Sequence, residues 1–418
     1  MRKSGSLLLS GGCALAAAVA LLTTSGGWAG SAVAAQASAQ NALAAVSCAG
    51  HADCMAVGEI TTPSTVLPLA EVLRGGTWDA LPAAAVGRSS QLLGVSCVSA
   101  TFCMAVGDEQ NGGALSEIWR GRRWTRETVR SSPRASTLES ISCTSERFCV
   151  AVGGTALDQP LIEAWNGRRW SRMVSPGASG GSAPLEGVWC SSQYSCVAVG
   201  TAFSGRGQSG RVERYADGSW RVVHADISGE LPTLTAVSCP ASGWCVAVGT
   251  VEAASAKMPE PLALKITGGG VSQLNVVTAP TAGFSGVSCP EVDSCVAVGG
   301  IEASEQPAEG STGPSGGSTG VSGGSTGASG GNTGATGVVG ANALAPFAES
   351  LGDGLWQLTL PASEGSSDTL DGGVSCTTSS SCQAVGYHLA SSGGHISASA
   401  DELTDIAWTT LPTPNDPS

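Results

Sequence analysis

Charged side chains are scarce in this sequence, at 13% of residues, and aromatic side chains make up only 5%. The first shortage disfavours helical bundles, whose solvated faces need charge. The 59 glycines favour short strands joined by tight turns. Side chains suited to acid–base or metal chemistry are also few, with four histidines (His51, His224, His388, His395) and three tyrosines (Tyr194, Tyr215, Tyr387). Long hydrophobic runs are missing too. The longest mostly apolar stretch, Leu7 to Leu22, falls short of the roughly 20 residues that span a bilayer.

That stretch follows Arg2 and Lys3 and leads to Ala32-Val33-Ala34, an A-x-A pattern that predicts a signal peptide over 1–34, cleaved before Ala35. A retained membrane anchor is the competing reading. A lipoprotein at Cys13 fits poorly, because Ser10 stands where a lipobox prefers leucine. Cleavage removes two cations and moves the formal charge from −13 to −15, which disfavours nucleic acid and anionic membrane surfaces as partners. It also removes Cys13 and leaves 14 of the 15 cysteines, an even number behind an export signal.

Those cysteines sit in an internal repeat. VSCAGHADCMAVG, VSCVSATFCMAVG, ISCTSERFCVAVG, VWCSSQYSCVAVG, VSCPASGWCVAVG, VSCPEVDSCVAVG and VSCTTSSSCQAVG align without a gap. They start at Val46, Val95, Ile141, Val188, Val237, Val287 and Val374. After six of the seven, an acidic residue precedes a tryptophan by seven positions: Glu71/Trp78, Glu117/Trp124, Glu163/Trp170, Glu213/Trp220, Glu349/Trp356 and Asp401/Trp408. The fifth repeat has Leu264 and Val271 instead. Asn166-Gly167 suits a two-residue hairpin turn, and a turn centred there would pair Glu163 with Trp170. Each repeat then reads as four strands: a ends in Val-Ser-Cys, b is Cys-x-Ala-Val-Gly, c carries the acid and d begins near the tryptophan. The expected fold is all-β, a seven-bladed propeller of four-stranded antiparallel blades over 35–418. An open β-solenoid is the runner-up.

The pattern resembles the kelch repeat. CVAVGG at Cys149–Gly154 and Cys295–Gly300 is similar to the kelch glycine strand, and IEAWNGRRWSRMVSP is similar to its tryptophan hairpin. The cysteine pair and the single glycine of several repeats depart from it. The resemblance implies the architecture and no activity.

The two cysteines of each repeat flank the a–b turn, so local disulfides are expected between Cys48 and Cys54, Cys97 and Cys103, Cys143 and Cys149, and Cys190 and Cys196. The same applies to Cys239 and Cys245, Cys289 and Cys295, and Cys376 and Cys382. Pairing between blades and metal ligation are the alternatives; five intervening residues exceed the usual zinc spacing. Between strands b and c of blade six lies a Gly/Ser/Thr-rich segment, 302–342, built on consecutive seven-residue repeats. Its composition predicts a flexible loop.

No reactive constellation stands out. YADGSW and GDGLW place Asp217 and Asp353 three residues before tryptophan, where sialidase Asp boxes need five. Acids that recur once per blade suit a structural role better than a catalytic pair. The recurring tryptophans suit packing between blades. Tyr387-His388 reads as a surface loop. The densest basic cluster lies on the c–d hairpins of blades two and three, where Arg122, Arg123, Arg168 and Arg169 form a candidate partner patch against a background of solvated turn residues. The sequence therefore predicts a secreted, monomeric, non-catalytic scaffold that binds an extracellular protein or glycan, with no cofactor and no metal. The alternatives are an extracellular carbohydrate-active enzyme and a structural envelope protein.

Overall fold

In every repeat the buried run lies on strand b. Cys54, Met55, Ala56 and Val57 are all at most 3% exposed, so this strand has two apolar faces instead of one. A strand of that kind needs cover on both sides, and neighbouring blades supply it. The computed structural model describes residues 39–84, 89–110, 113–176, 181–205, 207–223, 230–253, 259–277, 281–302, 344–352, 354–359, 367–389, 396–405 and 407–414. All belong to one compact unit, Ser38–Ser418.

Blade one is an antiparallel sheet of strand a (Gln40–Gly50), b (Asp53–Thr61), c (Val66–Arg74) and d (Thr77–Leu81), in that spatial order. Five further four-stranded sheets repeat the arrangement. In the seventh, strand a is split into Ser367–Thr369 and Val374–Thr378. The chain is a seven-bladed β-propeller. Each sheet is made of sequence-consecutive strands, and strand a of blade one packs against blade seven, so the ring closes without strand exchange.

Strand b shows how the faces divide. Cys54 and Ala56 pack with Val385 and Ala400 of blade seven, whereas Met55 and Val57 pack with Leu92 and Val95 of blade two. Seven such clusters fill the seven blade junctions. In six of them the tryptophan at the start of strand d faces the preceding blade, for example Trp170 against Phe102 and Ile118. The tryptophans are inter-blade packing.

The hairpin register differs by two residues from the sequence expectation, so the same face is kept. Trp170 pairs with Trp165, their rings 5.7 Å apart, and Glu163 pairs with Arg172. The loop spans four residues, because Asn166 Oδ1 accepts the N–H groups of Arg168 and Arg169 and holds a wider turn. Blade four keeps a two-residue turn on Asp217-Gly218, both at positive φ, and pairs Tyr215 with Trp220.

Seven disulfides join the pairs named from the sequence, each within one a–b hairpin, with Cα–Cα separations of 3.9 to 4.1 Å. The serine before the first cysteine then ties blade to blade. Ser47 Oγ accepts the N–H of Cys97, Ser96 that of Cys143, and Ser142 that of Cys190. Ser238 accepts from Cys289, Ser288 from Cys376, and Ser375 from Cys48, which closes the ring. Only the step from blade four to blade five has no such serine; Trp189 stands there.

Segment 1–34 and the insert 302–342, apart from Glu302, lie outside the described residues. The strands flanking the insert pair with each other, Glu302 opposite Leu344. Tyr387 and His388 sit within strand b of blade seven, paired with Thr369 and Asp368, and not in a loop. Among the described residues, no helix is long and apolar enough to cross a membrane.

Candidate functional site

Strand a lines the axis of the ring, and in six blades it carries a bulge. In blade three Val152 pairs with Ser140 and Gly153 with Leu138, which leaves Glu139 as the extra residue. The same shift falls at Ala44, Leu93, Glu186, Thr235 and Ser285. These residues, with Gly372 of blade seven, line an axial cavity of about 190 Å³. Each blade therefore contributes its extra strand-a residue, or Gly372 in blade seven, to the channel wall together with the residues that follow it.

Two adjacent blades place carboxylates there. Burial pushes the Glu139 carboxyl up to about 7, and the negative charges of Glu186 and Asp108 push it the same way. Burial also raises Glu186. Thr235 and Ser285 turn their hydroxyls to the next blade instead, donating to Phe284 O and Leu370 O. Sequence reasoning passed over both glutamates. They lie just upstream of the aligned motif, and only the position two residues before Val-Ser-Cys, compared across repeats, would have set them apart.

A pH dependence follows. Glu139 holds its proton to about pH 7 when folded, against 4.5 for the ordinary side chain. The folded chain binds the extra proton between those values, so its stability falls as pH rises through that window. Glu139→Gln is expected to raise the unfolding free energy near pH 8, by up to about 3 kcal/mol, and to change it little near pH 4. Paired denaturation curves at the two pH values check this.

The repeated acids belong to the blade junctions. Glu117 accepts from Ala84 N at 2.9 Å, and Glu163 accepts from Ser131 and Ser132 at 2.5 and 3.0 Å. Glu213 accepts from Ser175, and Glu349 from Val277 N. In each case the donor lies on the segment leaving strand d of the preceding blade. The acids clamp one blade's exit to the next blade, and burial raises Glu117, Glu163 and Glu349 despite these bonds.

The a–b and c–d turns share one face of the ring, opposite the b–c and d–a connections. Arg122, Arg123, Arg168 and Arg169 are exposed on that turn face, on neighbouring blades. Among the described residues, no carboxylate forms an ion pair with any of the four; Arg126 nearby pairs with Glu109. Arg147, exposed on the a–b turn of blade three, packs close to Gly167 and extends the basic surface.

Further round the same face, between blades four and five, lies a cavity of about 500 Å³. Its walls include Trp189, the exposed Tyr194, Arg214 and Asp217. Nothing in the repeat motif announced it.

Solved structures with similar coordinates include one described as "YCF48 bound to D1 peptide". It aligns with a TM-score of 0.51 at 12% identity, over 88% of this chain and 93% of that one. The likeness is one of fold. AofleA from Arthrobotrys oligospora aligns at 0.46 and 9% identity, covering 78% and 86% of the two chains. A chain from a structure described as the Mitotic Checkpoint Complex aligns at 0.47 and 10%, covering 87% and 90%. No family model and no curated protein sequence matches the chain.

Proposed function

We propose that the protein is an exported, non-catalytic binding scaffold of kelch-like type, which engages an extracellular protein or glycan through its turn face. One observation carries this reading. The recurring acids and tryptophans are committed to blade junctions, whereas the arginines of blades two and three stand exposed on a chain of net charge −13. A local cationic surface on an acidic protein selects partners with acidic groups and repels most others. Seven disulfides suit an oxidising compartment, in keeping with cleavage before Ala35. The YCF48 structure carries a bound peptide, so a protein partner is in keeping with this fold.

Arg122→Glu combined with Arg123→Glu, Arg168→Glu and Arg169→Glu is expected to weaken capture of the partner from secretome or cell-wall fractions at least tenfold, at an unchanged melting temperature. These side chains are solvated, so their reversal leaves the core intact. Undiminished capture by the quadruple variant would remove the arginines from the interface.

A further inference from the structure

Three repeat devices fail at one junction. Trp189 replaces the serine that would tie blade four to blade five, and Leu264 replaces the clamping acid of blade five. Val271 replaces the tryptophan that would face blade four. The 500 Å³ cavity lies at this same junction, on the turn face. Its size falls within the range of small-ligand pockets, about 300–1,000 Å³.

Arg214 spans the gap from blade four and donates to Thr267 O of blade five at 2.8 Å. Ser195 and Ser242 bring their hydroxyls to 3.3 Å across the same seam. Tyr194 is 71% exposed on the a–b turn. Of the three replacements Trp189 lines the cavity, while Leu264 and Val271 pack into the apolar cluster of the same junction; the wall itself offers two aromatic side chains, a guanidinium, a carboxylate and several hydroxyls.

We infer that this cavity binds a neutral saccharide unit. An apolar ligand would strip water from Arg214 and Asp217 without replacing their hydrogen bonds. An anionic ligand would meet Asp217 and the net negative charge, and a cationic one would meet Arg214. A sugar ring offers what this wall complements: an apolar C–H face for Trp189 and Tyr194, and hydroxyls that donate to Asp217 and accept from Arg214. The inference deepens the binding reading and uses none of the blade-two and blade-three arginines.

The test is binding of the full chain to a panel of neutral hexoses, deoxyhexoses, N-acetylhexosamines and their dimers, followed by tryptophan fluorescence and ligand-observed NMR. At least one sugar should bind, and Tyr194→Ala and Trp189→Ser should each weaken it tenfold or more. Tyr194 is exposed, so its variant stays folded; Trp189→Ser restores the residue found in the other six repeats. The blade-two and blade-three arginine reversals should leave sugar binding unchanged. No binding across the panel, or binding that survives both pocket variants, overturns the inference. If the arginine reversals still abolish partner capture in that case, the scaffold reading stands without the pocket.

Discussion

Reduction of the seven disulfides is expected to unfold the propeller near physiological temperature. Each bridge closes a seven-residue loop across paired positions of one hairpin, such as Cys143 opposite Cys149. Chain entropy assigns about 2 kcal/mol to such a loop. Seven of them approach the whole stability of an ordinary domain, about 5–15 kcal/mol. The bridges also hold the amides of Cys97, Cys143 and their counterparts toward the preceding blade's serine, so reduction loosens junctions as well as hairpins. Circular dichroism melts with and without a phosphine reductant provide the measurement. A reduced chain melting within a few degrees of the oxidised one would contradict this account. Before reduction, thiol labelling of residues 35–418 should find almost no free cysteine.

Gly153→Ala is expected to cost several kcal/mol, although it adds a single methyl group. A Cβ at that position would lie 2.1 Å from the carbonyl oxygen of Thr137 and 2.9 Å from Leu138 Cα. Both obstacles are backbone, so strand a must leave strand b to make room. Overpacking of this kind costs about 1–3 kcal/mol when side chains can yield, and more when they cannot. Gly58, Gly107, Gly200, Gly249, Gly299 and Gly386 meet a carbonyl in the same way, at 1.9 to 2.2 Å. Gly205→Ala, with open space around it, is the control and should be nearly neutral. Urea midpoints of the two variants decide the matter.

This glycine explains what the sequence could and could not reveal. Motifs under the same constraint in every blade were legible: the blade count, the cysteine pairing, the a-to-d order and the inter-blade role of the tryptophans all followed from repetition. Hairpin register was not. Asn166-Gly167 has the composition of a two-residue turn, but the side chain of Asn166 caps a four-residue one. The bulge was invisible as well, since an extra residue in strand a shows only when pairing partners are known. Glu139 and Glu186 therefore went unnoticed although both face the axis. The irregular junction between blades four and five was half legible. Leu264 and Val271 were evident departures, but their meeting with Trp189 in one apolar cluster required the ring.

The junction between blades seven and one carries the same serine and tryptophan fittings as five of the other six. Ser375 holds Cys48, and Trp78 packs onto Val385 and Ala400. Many closed rings need a special clasp; this one is fastened by the ordinary joint. Which blade counts as the first is thus a property of the chain's numbering and not of the wheel. A circular permutant opened at another d–a connection would present the same seven junctions, the same axial collar and the same turn face in an unchanged order.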